Sequence, residues 1–169
     1  MKLFSKVFLF LAAILLTAHM VEAKSPSTSE VKNALSQELP SYVKLTDFTV
    51  EASQNLGTDV EPLWGVRFNA RIITSSDLYV RDKSENNVVF VFLRTKNNSK
   101  IEIFGQIRSH LYQGKWRHSV NIDGNTVDNL GLPLNKISQS GYRVIIRGSK
   151  EENAYYDNLH REGSVKSFL

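Results

Sequence analysis

The stretch LWGVRFNARII, from Leu63 to Ile73, decides the fold. Trp64, Val66, Phe68, Ala70 and Ile72 fall in one phase, and Arg67, Asn69 and Arg71 in the other. Successive side chains of a strand point to opposite faces, so this alternation describes a half-buried strand. Its apolar ladder needs a cover, and its arginines face water.

The cover lies upstream. In STSEVKNALSQELP, Ser27 and Glu30 have the spacing of a capping box, in which each side chain satisfies a backbone N–H of the other. Val31, Ala34, Leu35 and Leu39 recur on one helical face, and Pro40 stops the helix. An amphipathic helix of this kind lies on a sheet, so the ladder from Trp64 to Ile72 is expected to face it.

The other strands follow from the same period of two. YVKLTDFTVEAS carries Val43 and Leu45 in one phase but Phe48, Val50 and Ala52 in the other, which marks a bulge. A turn around Gly57 leads to the long strand, expected from about Val60 to Ile73. DLYVRD re-enters a sheet, and KSENN reads as a polar turn. VVFVFLRTK is apolar on both faces, so it belongs at the centre of a sheet or under cover on both sides. IEIFGQIRSHLY and KWRHSVNID form a hairpin about Gln113-Gly114. A two-residue turn pairs Leu111 with Trp116, Ser109 with His118, Ile107 with Val120 and Gly105 with Ile122. A three-residue turn would instead set His110 against His118. The first register puts apolar opposite apolar and is the one expected; it turns His118 inward, and His110 and Arg117 outward.

GNTVDNLGLPLNKISQSG reads as a loop that tacks Leu130, Leu132 and Leu134 onto the body. YRVIIRG is a last short strand. SKEENAYYDNLHREG is a second helix, with Ser149 and Glu152 at capping-box spacing, Ala154, Tyr155 and Leu159 available for packing, and Gly163 as its end. Hairpin-length links speak against a parallel α/β sheet. The expected class is α+β: an N-terminal helix on a bent antiparallel meander of about six or seven strands, with a C-terminal helix.

The first residues address compartment. Lys2 and Lys6 precede the apolar run Val7 to Leu16, and Val-Glu-Ala closes at Ala23. This is the layout of a secretory signal peptide, and the run is short of the roughly 20 apolar residues a spanning helix needs. The reading is residues 1–23 signal peptide, 24–163 one α+β domain and 164–169 a polar tail, exported to the periplasm or secreted. No transmembrane segment is expected after cleavage. There is no cysteine, which excludes disulfides, thiolate metal sites and cysteine nucleophiles. The net charge of +4 is spread along the chain without a run of like sign, so no nucleic-acid partner is expected.

No catalytic constellation, metal set or cofactor motif is present. Asp123 to Asn129 lacks the alternating oxygen ligands of a calcium loop and reads as a turn. His118 is the one inward histidine, opposite Ser109. It is either a base or ligand contact, or a buried histidine bonded to Ser109 or to backbone, and the lack of an adjacent carboxylate favours the second. Trp64, Tyr112, Trp116 and His118 are the candidate ligand contacts at the mouth of the sheet. Arginines recur on the strands, Arg108, Arg143 and Arg147 among them, and Arg67, Arg71, Arg94 and Arg117 are the candidates for an anion-binding patch. The alternative is cross-strand pairing with Glu51, Glu61 and Glu102.

LPSYVKLTDFTVEASQNLG followed by EPLWGVRFNARI, behind a helix, resembles the cystatin-like and NTF2-like architectures of small exported bacterial domains. The resemblance implies a helix wrapped by a bent sheet and names no catalytic residue. The expected function is a non-enzymatic module of the bacterial envelope or secreted space that contacts a protein partner or small ligand through its sheet. The alternative is a ligand-binding or hydrolytic NTF2-like cone with His118 in the cavity.

Overall fold

The computed structural model describes residues 25–166 apart from 125, 139 and 140, with only the backbone of 162–166. The expected signal peptide, residues 1–23, lies outside the described residues, as does the tail from 167.

The chain runs α1 (Thr28–Glu38), β1 (Val43–Asn55), β2 (Leu63–Thr74), β3 (Leu78–Glu85), β4 (Val88–Thr95), β5 (Lys100–Tyr112), β6 (Lys115–Ile122), a 3-10 turn (Asp128–Leu130), α2 (Leu134–Ser138), β7 (Arg143–Ile146) and α3 (Lys150–Lys166). The class is α+β. The strands do not form a single meander, however. They divide into a four-stranded sheet ordered β1-β2-β5-β6 and a three-stranded sheet ordered β3-β4-β7. The pair β4–β7 is parallel. Those two strands are not joined by a hairpin: the β5–β6 hairpin and α2 intervene, ample length for a parallel return.

The four-stranded sheet is built as its alternation demands. Val66, Phe68, Ala70 and Ile72 are buried while Arg67, Asn69 and Arg71 are exposed. α1 lies on the buried side, where Val31 and Leu35 join Phe68, Ile72, Ile103 and Ile107 in one core. Its capping box is complete, Ser27 Oγ accepting from Glu30 N–H and the Glu30 carboxylate accepting from Ser27 N–H. β1 carries the expected bulge between Leu45 and Asp47, and a second between Val50 and Ala52 that turns Ala52 outward. β2 starts at Leu63, leaving Val60 exposed in the preceding loop. The β5–β6 hairpin has the register that pairs apolar with apolar. Its turn residues Gln113 and Gly114 both have positive φ, as a two-residue type I′ turn requires.

The three-stranded sheet is covered on both sides. Val88 and Phe90 pack with Ile145 beneath Tyr155 and Tyr156 of α3. Val89 and Val91 pack with Ile137 of α2. The run that is apolar on both faces is thus the central strand. The polar turn before it is only Asn86-Asn87, Lys83 to Glu85 being part of β3. The segment read as a loop contains the 3-10 turn and α2, because Leu130 and Ile137 each need a place in a core. Leu132 is 43% exposed, though its backbone bridges to Tyr79. That bridge brings Gly131 so close that an added Cβ would meet Tyr79 O at 2.7 Å. α3 continues through Gly163 to Lys166. Within it Tyr155 and Tyr156 pack, whereas Ala154 and Leu159 remain exposed.

Candidate binding face

The side of the four-stranded sheet away from α1 carries no cover among the described residues. Strand register defines its rows. Arg71 stands between Asp47 and Glu102, Asn69 between Thr49 and Phe104, and Arg67 between Ala52 and Gln106. Farther along, Gly65, Arg108 and Ser119 form a row, and His110 and Arg117 another. Phe104, next to Asn69 and just past the last β5–β6 pair, is 55% exposed, far more than a phenylalanine used for packing. Gly65 keeps its row low enough for Leu56 to lie across it, since a Cβ there would come within 2.8 Å of Leu56 Cδ1.

The four candidate arginines meet three fates. Arg71 is neutralised by Asp47 at 3.1 Å and Glu102 at 3.2 Å, which is cross-strand pairing of the kind set against the anion-site reading. Of the acids expected for that role, Glu102 takes part and Asp47 replaces Glu51 and Glu61. Arg94 lies on β4 in the other sheet, so it cannot join the patch. Arg67 and Arg117 do share the open face, and Arg108, on the strand between them, joins them. Arg117 places its guanidinium 4.3 Å from the centre of the Tyr112 ring, a cation–π contact. Tyr112 therefore belongs to the open face and not to a cavity with His118.

On the covered side, among the described residues, α1 packs Val31, Leu35 and its C-cap Leu39 into the core beneath the sheet. What remains near His118 is a rim groove of about 350 Å³ between α1 and the β5–β6 hairpin, lined by Glu30, Asn33, Gln37, Lys115, Trp116 and His118 among others. His118 Nδ1 lies 2.8 Å from Ser109 Oγ, and either atom can donate. Burial lowers the His118 pKa below its ordinary value, opposed in part by the Glu30 carboxylate. Ser109 is fully buried, so its hydroxyl cannot reach a substrate. His118 is thus half-buried at the groove and hydrogen-bonded to a buried serine. Trp64 is half-buried opposite Ser109, with its indole N–H buried and without a partner among the described residues.

Two further clusters were not legible beforehand. A cleft of about 450 Å³ opens where the two sheets meet, lined by Ser41, Tyr42, Ser76, Asp77, Tyr79 and Lys136 among others. Burial raises the Tyr42 and Tyr79 phenols, each helped by one acid, Asp128 and Asp77 respectively. The second is an ion network beneath α3. The Glu152 carboxylate accepts from Gly148 N–H at 2.6 Å and from Arg147, whose guanidinium also meets Asp82 at 2.8 Å. The Gly148 N–H, with Arg147, holds Glu152 below the usual carboxylate range. Ser149 caps the same helix by accepting from Glu152 N–H. This network docks a helix and has the character of a structural clamp.

No family model, curated protein or solved structure matches the chain. No helix among the described residues is long and apolar enough to cross a membrane. Phe104 and Arg108 are the face residues that sequence reasoning left out of its candidate sites. The available signal was IEIFGQIRSHLY, in which Phe104, Gln106, Arg108, His110 and Tyr112 share the phase opposite to Ile103 and Ile107.

Proposed function

We propose that this chain is an exported, non-enzymatic binding module of the bacterial envelope or secreted space. It contacts a protein partner through the bare face of its four-stranded sheet, on a cystatin-like or NTF2-like arrangement of helix and bent sheet. One observation carries the reading: Phe104 stands 55% exposed on β5, beside Asn69 and just past the end of the β5–β6 ladder, on a sheet face that no described element covers. A large aromatic left in water on a rigid sheet costs solubility and adds nothing to the core, and such residues are typical interface anchors. The layout of residues 1–23 supports export.

The test is site-specific photo-crosslinking in the producing cell, with the probe placed at position 104 and, as control, at Ser36 on the exposed side of α1. A discrete adduct from position 104 that is absent from position 36 is the expected result. Equal labelling at both sites, or none at 104, would overturn the reading. Export is tested separately by fusing residues 1–23 to a reporter that is active only outside the cytoplasm; an inactive fusion would remove it.

A second reading has its own observation, the groove holding Trp116 and His118. It makes that groove a small-ligand contact, in the sense of the NTF2-like cone. The buried Ser109 is out of reach as a nucleophile, so any hydrolysis there would use water with His118 as base, and the reading favoured is binding. Turnover by the purified chain that is abolished by His118→Ala would reverse that judgement.

A further inference from the structure

The open face is electrostatically divided. Around Arg71, three bases (Lys44, Arg71 and Lys100) stand among three acids (Asp47, Glu51 and Glu102), so that half is balanced. Toward the β5–β6 turn, the strands present Arg67, Arg108, Lys115 and Arg117, and Glu51, in the β1 bulge beside Arg67, is the strand acid at their boundary with the balanced half. All four bases are exposed, and none has an ion pair among the described residues. By strand spacing this basic half measures about 20 Å along the strands and about 10 Å across. Phe104, Leu56 and Tyr112 stand within or beside it.

We infer that the partner contacting this face presents a short acidic segment carrying an apolar or aromatic side chain. The inference rests on the reading of the sheet as a binding face and names the chemistry of what binds there. Unpaired arginines set on rigid strands have guanidinium forks free for bidentate bonds to carboxylates. The exposed aromatic beside them offers an anchor that a purely ionic ligand would leave unused. A second copy of this chain fits poorly, because face-to-face contact would oppose like charges. A long polyanion also fits poorly, since beyond about 20 Å it would run onto Asp47 and Glu102 or off the sheet. The length matches about six extended residues.

The experiment uses the chain from residue 24 and a labelled synthetic peptide of about ten residues, alternating glutamate with serine and carrying one central phenylalanine. The comparison probes are the same peptide with glutamine for glutamate, a single-stranded DNA of about 20 nucleotides, and vesicles containing phosphatidylglycerol. Saturable binding of the acidic peptide is expected, weakened roughly tenfold or more by Arg108→Glu, by the glutamine peptide, and by raising salt from about 50 to about 500 mM. Arg94→Glu, the same charge change on the other sheet, should leave binding within about twofold. The inference is overturned if the acidic peptide does not bind, or if Arg94→Glu weakens it as much as Arg108→Glu. Tighter binding to DNA or to vesicles would overturn it as well, and so would self-association abolished by Arg108→Glu. An adduct from position 104 that survives Arg108→Glu would remove this inference alone, whereas no adduct at 104 removes the reading beneath it.

Discussion

The two sheets answer the same problem differently. The three-stranded sheet buries both faces of the first half of β4, Phe90 under α3 and Val89 under α2, so most of that apolar run goes into holding the chain together, while Phe92 and Leu93 at its far end stay exposed. The four-stranded sheet buries one face against α1 and leaves the other in water. A strand apolar on both faces has no side to spare. A strand that alternates keeps a rigid row of side chains free, anchored by the buried row behind it. On the function proposed above, recognition would fall to the larger sheet.

The contrast breaks first on the cores. Phe68 and Phe90 are both fully buried, one in each sheet. Truncating either to alanine removes a ring and leaves a cavity, at a cost of about 3–5 kcal/mol. Urea unfolding checks this. If the two sheets unfold as one unit, either variant shifts a single transition; a biphasic curve in Phe90→Ala alone would show that the smaller sheet opens by itself. Next in size is Glu152→Gln, which removes the charge that Gly148 N–H and Arg147 both engage. Glu152 has a lowered pKa when folded, so its contribution is complete above the ordinary carboxyl range and disappears as pH falls through the folded value. The variant should melt several degrees lower near neutrality and converge with the parent in acid. A constant difference at every pH would disprove the charge mechanism.

On the larger sheet the corresponding device is His118. Its folded pKa is lowered, so on acidification the unfolded state takes up the proton first. The stabilisation is present above the ordinary imidazole range and is lost as pH falls through the folded value. Ser109→Ala removes the partner at 2.8 Å and is expected to cost about 1 kcal/mol. His118→Asn should flatten the loss of stability between about pH 7 and about pH 5. The two sheets thus loosen in different acid windows, the carboxylate one lying lower.

How much of this was legible follows from what each element depends on. The α1 capping box, the β2 ladder, the first β1 bulge and the β5–β6 register are local patterns, set by residues within one hairpin or one helical turn. Separation into two sheets depends on Thr74, whose hydroxyl donates to Lys96 O and accepts from Ser99 N–H, and on Thr95 bonding Leu130 O. Those bonds join segments about 20 to 35 residues apart, and no periodicity encodes them. The site was legible in the same proportion. That Arg67 and Arg117 face outward follows from phase alone. That Arg71 is neutralised and Arg94 sits elsewhere requires knowing which strands are neighbours. Helix α3 passed its glycine because Gly163 only permits a helix to end there.

The smallest expected effect on stability is the one that most sharpens the contrast. Phe104 has the same side chain as Phe68 and Phe90, yet it stands in water. Phe104→Ser removes about as much apolar surface as a core truncation but opens no cavity, so stability should stay within about 0.5 kcal/mol of the parent. A loss near that of Phe68→Ala would mean the ring is buried by something in solution, and the face would not be free. If stability holds while capture of the partner at this face is lost, the ring serves contact alone. Asn69 stands beside Phe104 in the same row and Gln106 in the next row along β5, so Asn69→Ala and Gln106→Ala give controls on the same face. Substitutions at an interface rim are nearly neutral while those at its centre are not. A gradient in binding that peaks at Phe104, with flat stability across all three positions, is what a recognition surface on a rigid sheet produces.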